Sequence, residues 1–100
     1  MSYSVVFAPQ ALAHLDALED FISDAASAAV AARFVDRPIS LCESFSLFPL
    51  RGTRRDDLLA DLRITHYRHS TVIAFTVNTA NKTVSILGVF YGGQRYAELL

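Results

Sequence analysis

Apolar residues in the first half of the chain recur every three or four positions, the spacing of helices that bury one face. Over residues 9–25 the apolar stripe consists of Ala8, Ala11, Leu15, Leu18, Ile22 and Ala25. Over residues 28–47 it consists of Ala28, Ala31, Val35, Ile39, Cys42 and Phe45. Pro9 suits the first turn of a helix, where no backbone N–H is required, and Ser27 suits the N-cap of the next helix. The pattern therefore predicts two helices joined as a hairpin.

Pro38 lies inside the second predicted helix. A proline at such a place removes a backbone hydrogen bond and crowds the preceding turn, at a cost of roughly 3 kcal/mol. The apolar stripe keeps its phase on both sides of Pro38, which predicts one helix with a kink near Phe34. Two helices that separate at Pro38 are the alternative.

Outside this helical region, β-branched and aromatic residues form runs typical of strands. The predicted strands are residues 3–7, 62–67 after a mixed approach from Leu58, 71–77, and 83–91. Turns are predicted at Arg68-His69 and at residues 78–82, and Gly92-Gly93 ends the last strand. One or two weak helical turns are expected in residues 94–100.

This order of elements predicts an α+β fold. It comprises an N-terminal strand, a two-helix hairpin and a three-stranded antiparallel meander, with the helices packed on one face of a four-stranded sheet. Two strands, 71–77 and 83–91, are apolar on both faces and belong in the middle of a covered sheet. The N-terminal strand is placed most simply beside the last strand or beside an edge strand, and the sequence does not choose between these.

Composition predicts a single soluble domain over residues 1–100 and a cytoplasmic location. The chain has 100 residues, of which 52% are apolar, enough for one core. Its apolar runs are far shorter than the roughly 20 residues that span a bilayer. The N-terminus has no basic region typical of a secretory signal. The single cysteine, Cys42, cannot form an internal disulfide and is expected to be a small core residue.

Charge is unevenly distributed along a chain whose formal net charge is -1. The first 32 residues contain four acidic residues and no Lys or Arg. The window from Arg51 to Arg68 contains five arginines: Arg51, Arg54, Arg55, Arg63 and Arg68. A basic zone on a nearly neutral protein favours an anionic partner surface over general nucleic-acid affinity. Nearby aspartates offer a competing interpretation, because Asp56, Asp57 and Asp61 would neutralise part of the zone.

Several segments, in this order, resemble the ParE branch of the ParE/RelE superfamily of bacterial toxins. The segments are Val6-Phe7-Ala8-Pro9-Gln10-Ala11, Ala31-Ala32-Arg33-Phe34-Val35-Asp36, Phe48-Pro49, Arg51-Gly52-Thr53-Arg54-Arg55-Asp56-Asp57-Leu58, Leu62-Arg63, Val72-Ile73-Ala74-Phe75-Thr76-Val77 and Ile86-Leu87-Gly88-Val89-Phe90-Tyr91-Gly92-Gly93. The resemblance extends along almost the whole chain. It departs from the family at Gln94, where an arginine more often follows the glycine pair, and this puts the role of the C-terminal segment in doubt.

The resemblance implies the toxin of a type II toxin–antitoxin pair. Such toxins inhibit DNA gyrase and are held inactive by a ParD-like antitoxin, so a hetero-oligomer with that antitoxin is expected. Contact with the target or partner is assigned to Arg51, Arg54, Arg55, Arg63, Tyr91 and Arg95. On physical grounds too, a small chain with strands apolar on both faces and only two helices is expected to leave an apolar groove open. An acidic–aliphatic peptide that folds on binding would cover it.

Two other functions remain as alternatives. The RelE branch cleaves mRNA on the ribosome, and that chemistry requires basic groups on the sheet face. The central strand, 72–77, contains no Lys, Arg or His, which favours a non-enzymatic inhibitor. The third hypothesis is a non-toxic module that only binds an antitoxin. No phosphate loop or zinc-ligand spacing is present, so the sequence predicts no cofactor and no metal.

The histidines carry little functional signal. His66 and His69 are three residues apart, which places them on opposite faces of a strand, where they cannot converge on one substrate. His14 lies off the apolar face of the first predicted helix and is expected to be solvated.

Arg63 is predicted to share one strand face with Thr65 and Tyr67, opposite Leu62, Ile64 and His66. A structural role would be a salt bridge to Asp57 or Asp61. A functional role would be contact with target or antitoxin, and this is the interpretation we favour.

Overall fold

The computed structural model describes residues 2–67, 71–91 and 96–99. Its elements are β1 (Ser4–Phe7), α1 (Pro9–Ala25), α2 (Ala28–Ser44), β2 (Thr53–Arg54), β3 (Leu62–Tyr67), β4 (Thr71–Asn78), β5 (Thr83–Tyr91) and α3 (Tyr96–Leu99). The predicted turn at Arg68-His69 and the glycine pair Gly92-Gly93 lie outside the described residues. No helix within the described ranges is both long enough and apolar enough to cross a membrane.

The helical hairpin forms as its apolar stripes predict. Ser27 caps α2 by accepting a hydrogen bond from the Val30 N–H at 3.2 Å. The helix continues through Pro38, so the predicted single helix is confirmed and the break at Pro38 is wrong. Pro38 is itself buried, in phase with Val35 and Cys42. Its apolar ring packs in the core, and this burial offsets the loss of the backbone hydrogen bond that proline cannot donate. The helix ends at Ser44, three residues earlier than predicted.

The chain after Ser44 leaves the helix through tight turns. The N–H groups of Phe45, Ser46 and Leu47 each bond to the carbonyl three residues before, the pattern of a 3₁₀ turn. The helix was predicted to end later than it does because the apolar spacing continues to Phe45, whereas the α-helical hydrogen bonds end at Ser44.

In the part of the chain that the structure describes, the sheet has five strands in the order β1-β5-β4-β3-β2, one more than predicted. The additional strand, β2, has only two residues, both exposed and polar. The sequence therefore contains no apolar alternation that would predict it. β1 lies parallel to β5, so of the two placements that the sequence left open, the one beside the last strand is correct. The antiparallel meander of β3, β4 and β5 is confirmed, with β4 and β5 in the middle of the sheet.

A β-bulge reverses the side-chain phase of β5. Ala74 pairs with Gly88 whereas the next residue, Phe75, pairs with Ile86, which leaves Leu87 as the additional residue. Ile86 and Val89 therefore both face the helices although three positions separate them.

Each sheet face carries its own apolar cluster. The helix-side core joins α1 and α2 to β4 and β5, and consists of Ala11, Leu15, Cys42, Phe45, Ile73, Phe75, Val84, Ile86 and Val89. Cys42 is a fully buried core residue, as predicted, and burial raises the pKa of its thiol to about 12. The opposite face carries a smaller cluster of Leu62, Ile64, Ala74 and Phe90. Leu58 and Tyr96 pack against this second cluster.

His14 is a structural residue, and the prediction that it is solvated is wrong. β1 ends at Phe7, opposite Ile86, and no other described strand pairs with the edge of β5 beyond that point. α1 crosses this edge, and the Val89 N–H donates a hydrogen bond to His14 Nδ1 at 3.1 Å. The His14 ring also lies 4.9 Å from the Phe90 ring. Burial lowers the pKa of His14, which favours the neutral ring that can accept this bond.

We predict that His14 makes stability depend on pH near neutrality. Its folded pKa lies below the ordinary value of 6.5, so its stabilising effect is complete above that value and is lost as pH falls through the folded pKa. His14→Gln retains an acceptor without titration, so its melting temperature should decline less than that of the wild type between about pH 7 and about pH 5. His66→Gln, at an exposed histidine, is the matched control for the loss of a histidine. Equal slopes for His14→Gln and wild type would contradict this role.

Candidate functional site

The pairing of β2 with β3 divides the predicted arginines between two faces of the sheet. Arg54 pairs with Arg63, and the Arg55 N–H bonds to the Leu62 carbonyl at 2.9 Å. Residues directly opposite each other share a face, and neighbours along a strand alternate. Arg54 and Arg63 therefore lie on the helix side, and Arg55 lies on the opposite side.

The Arg54–Arg63 pair belongs to the class in which side chains approach most closely. A backbone hydrogen bond joins the next pair along the two strands, Arg55 and Leu62. Hydrogen-bonded and non-hydrogen-bonded pairs alternate between antiparallel strands, so Arg54 and Arg63 form a non-hydrogen-bonded pair. In such pairs the Cα atoms are about 4.5 Å apart. Like charges directly opposite each other on a sheet repel, and in this pair Asp56 and Asp61 offset the charge of Arg54.

Arg51 joins this pair from the segment that follows α2. Its guanidinium lies 5.2 Å from the centre of the Phe45 ring, and its Nη1 donates to Ser44 Oγ at 3.4 Å. Arg63 Nη1 donates in turn to the Arg51 carbonyl at 3.4 Å. We call Arg51, Arg54 and Arg63 the arginine surface.

Gly52 permits this arrangement. Its φ of +79° is a conformation that other residues adopt only with strain, and a Cβ here would collide with the Ile64 carbonyl. The backbone at Gly52 therefore passes directly against β3, which aligns Arg54 with Arg63.

Aspartates neutralise Arg54 and Arg55, whereas Arg51 and Arg63 have no carboxylate partner among the described residues. Arg54 binds Asp56 with two hydrogen bonds of 2.9 Å, and Arg55 binds Asp57 in the same way. These hydrogen bonds hold the pKa of both aspartates below the usual range. Arg54 also lies 3.5 Å from Asp61. The competing interpretation of the basic zone is thus correct for Arg54 and Arg55, whose ion pairs are exposed and individually weak.

Arg63 has neither of the salt bridges that the structural interpretation required. Asp57 pairs with Arg55, and Asp61 lies beside Arg54. Across the described residues, neither Arg51 nor Arg63 has a carboxylate within salt-bridge distance. The predicted face of Arg63, shared with Thr65 and Tyr67, is confirmed, since Arg63 lies opposite the helix-side core residue Phe75.

Arg55 links the opposite face to the C-terminal helix. Its Nη1 donates to the Tyr96 hydroxyl at 2.9 Å, and its guanidinium lies 5.9 Å from the Tyr96 ring. Tyr96 packs in turn near Phe90 of the second apolar cluster, with ring centres 6.3 Å apart. Arg55 therefore holds α3 against this cluster. The sequence did not reveal this contact, because Arg55 and Tyr96 are 41 positions apart.

Tyr91 lies at the other end of the helix-side face. It pairs with Thr71, which pairs with Tyr67, whereas Arg63 is four residues further along β3. At about 3.3 Å per residue, the separation along the strand is roughly 13 Å. Tyr91 contacts the exposed rings of Phe21 and Phe34, at 6.3 Å and 6.5 Å between ring centres. The predicted site is therefore divided, and Arg95 lies outside the described residues.

Exposed apolar residues and a cavity adjoin the arginine surface. Leu47, Phe48 and Leu50 are each at least 60% exposed, on the segment that leads into Arg51. A cavity of about 510 Å³ is lined by Leu50, Arg54, Ala60, Asp61, Arg63, Thr76, Val77, Asn78, Thr79 and Ala80. Leu50 belongs both to the exposed apolar residues and to the cavity lining, so apolar side chains lie next to guanidinium groups here.

The remaining candidates lie elsewhere. His66 is exposed on the face opposite Arg63, and His69 falls outside the described residues. Among the described side chains, no three His, Cys, Asp or Glu residues are arranged to hold a metal ion.

We predict that Arg55 supports the fold whereas Arg63 does not. Arg55→Ala removes the link to Tyr96 and leaves Asp57 unpaired, so its melting temperature should fall. The loss should be non-additive with Tyr96→Phe, because both changes remove the same hydrogen bond. Arg63→Ala is the matched arginine on the other face and should leave the melting temperature nearly unchanged. A larger loss for Arg63→Ala than for Arg55→Ala would contradict this assignment.

Comparison with known proteins assigns the fold and the family. No curated protein matches the chain. One similar solved structure is the chromosomal ParDE toxin–antitoxin system from P. aeruginosa, at 21% identity and a TM-score of 0.75, covering 90% of this chain and 96% of that chain. Another is the toxin–antitoxin complex RelBE2 from Mycobacterium tuberculosis, at 21% identity and a TM-score of 0.67, covering 92% of this chain and 100% of that chain. The family model described as the ParE toxin of the type II toxin–antitoxin system parDE matches residues 5–96. The chain therefore belongs to the ParE toxin family of type II toxin–antitoxin systems.

Proposed function

We propose that this toxin inhibits DNA gyrase and that a ParD-like antitoxin neutralises it. Membership of the ParE family supports the proposal. The observation that carries it is the arginine surface, where Arg51 and Arg63 have no carboxylate partner among the described residues while Leu47, Phe48 and Leu50 beside them are exposed. Such a surface fits a partner that brings both negative charge and apolar contact.

The arginine surface acts by binding, without covalent chemistry. Guanidinium groups bind carboxylates and phosphates with two parallel hydrogen bonds, and such charge-assisted bonds are about twice as strong as neutral ones. Arg63 is held in place by its bond to the Arg51 carbonyl, so little conformational freedom is lost when an anion binds. The acceptors in the gyrase complex are an acidic protein surface or a DNA phosphate.

The antitoxin covers the apolar parts of the same surface. Leu47, Phe48 and Leu50 form one exposed apolar group, and Phe21 and Phe34 form another near Tyr91. A segment that folds on binding suits two separated groups, because it can follow a long path over the toxin. The similar ParDE system from P. aeruginosa supports a partner of this kind. We place the toxin–antitoxin pair in the cytoplasm, where gyrase acts.

A ribosome-dependent mRNA endoribonuclease is the second candidate, favoured by the similarity to the RelBE2 complex. Such a nuclease needs a group that accepts a proton from the ribose 2′-hydroxyl, in addition to positive charge at the scissile phosphate. On β3, the side chains that share the face of Arg63 are Thr65 and Tyr67, and His66 points to the opposite face. This arrangement supports the gyrase proposal over cleavage.

We predict that purified toxin inhibits supercoiling by gyrase and that this inhibition depends on Arg63. Arg63→Ala should raise the concentration for half-inhibition roughly 30-fold, corresponding to about 2 kcal/mol for an arginine central to an interface. Arg33→Ala is the matched control, because Arg33 is an exposed arginine of α2 away from the arginine surface. Both variants should melt at the wild-type temperature.

The other outcomes separate the alternatives. Uninhibited gyrase at every attainable toxin concentration would refute the proposal. Cleavage of mRNA in a purified translation system would then identify a ribonuclease. Intact mRNA, normal gyrase activity and a stable complex with an antitoxin on size-exclusion chromatography would together identify a module that only binds its partner.

A further inference from the structure

The cavity beside the arginine surface is lined in part by one guanidinium group, that of Arg63, which has no carboxylate partner among the described residues. Its charged lining residues are Arg54, Arg63 and Asp61, two positive and one negative. Arg54 shares its charge with Asp56 and Asp61, whereas Arg63 has no carboxylate partner among the described residues. A single incoming carboxylate would give Arg63 the partner that it lacks.

The uncharged part of the lining suits a side chain on an apolar peptide. Leu50, Ala60, Val77 and Ala80 provide apolar walls. Asn78 provides amide N–H donors, because its Oδ1 already accepts from the backbone N–H groups of Ala80 and Asn81. A volume of about 510 Å³ is within the range of natural ligand sites and holds more than one side chain.

The same features disfavour a nucleic-acid backbone. A phosphodiester chain brings one negative charge with each nucleotide, and several would face a site with one guanidinium group that has no carboxylate partner. Asp61 on the rim, with its carboxylate 3.5 Å from Arg54, would repel them further.

We propose that this cavity is the anchor site for an acidic side chain of the antitoxin, flanked in the antitoxin sequence by aliphatic residues. This inference rests on the proposed antitoxin partner and assigns it a recognition chemistry. The antitoxin carboxylate binds Arg63, and its aliphatic neighbours contact Leu50 and Val77. Since Arg63 also belongs to the surface proposed to contact gyrase, antitoxin and target compete for one guanidinium, and neutralisation is direct occlusion.

Nuclear magnetic resonance tests this assignment with defined probes. The blocked tripeptide acetyl-Leu-Glu-Leu-amide is titrated into ¹⁵N-labelled full-length toxin, and the signals of the arginine Nε–H groups, Thr76 and Asn78 are followed. Acetyl-Leu-Gln-Leu-amide, which has the same shape without the charge, is the matched probe. Hexathymidylate supplies the nucleic-acid alternative.

The glutamate peptide should produce saturable shifts in these signals, and the glutamine peptide should bind at least about tenfold more weakly, because the charge-assisted bonds are lost. Arg63→Ala should abolish the shifts, Arg63→Lys should weaken them, and Arg33→Ala should leave them unchanged. The probe comparison in the wild-type chain keeps the test decisive even if Arg63→Ala fails to fold.

Equal binding of both peptides, no shifts at concentrations up to about 10 mM, or tighter binding of hexathymidylate at these residues would overturn the inference. Gyrase inhibition is measured on the same preparations. Inhibition of gyrase without peptide binding would refute only the proposed anchor site. Peptide binding without inhibition would support the anchor site and refute gyrase as the target.

Discussion

The pairing of two residues of β2 with β3 determines on which face of the sheet Arg54 and Arg55 lie. Since side chains alternate along a strand, this short ladder places Arg54 beside Arg63 and sends Arg55 to the opposite face. A shift of one residue would exchange these positions. Gly52 fixes the register, because its positive φ and the proximity of the Ile64 carbonyl allow only glycine there.

The rest of the molecule supports this pairing. β3 is aligned along its whole length with β4, whose Ile73 and Phe75 are fully buried under the helices. Phe45, at the end of α2, packs against Phe75 with ring centres 4.6 Å apart and also lies under the Arg51 guanidinium. The same aromatic residue thus belongs to the core and positions the arginine surface. On the other face, Arg55 donates a hydrogen bond to Tyr96, which packs against the second apolar cluster. The arginines on the two faces of the sheet are therefore positioned by different apolar clusters.

Periodic patterns predicted the elements that are long and amphipathic. The bounds of α1 and β5, the cap at Ser27, the meander and the burial of Cys42 all follow from local spacing. Features that depend on contacts distant in sequence were missed. β2 has no apolar residue, the bulge at Ala74 and Phe75 depends on its partner strand, and His14 is needed only because β1 ends at Phe7. The arginines were predicted as one site because they are close in sequence. Their division between two faces became apparent only with the register, and the exposed Phe21 and Phe34 beside Tyr91 gave no sequence signal distinct from core residues.

A cross-link tests the β2–β3 register most directly. Thr53 and Ile64 are opposite each other one step from the Arg54–Arg63 pair, with Cα atoms expected about 5.5 Å apart, which suits a disulfide. In Thr53→Cys/Ile64→Cys, Cys42 should not interfere, because burial keeps its thiol protonated. The account predicts that the disulfide forms in the folded protein and that the oxidised toxin inhibits gyrase as strongly as the reduced one. Failure of the folded protein to form this disulfide would contradict the register, and loss of inhibition on oxidation would contradict the claim that the register presents the arginine surface.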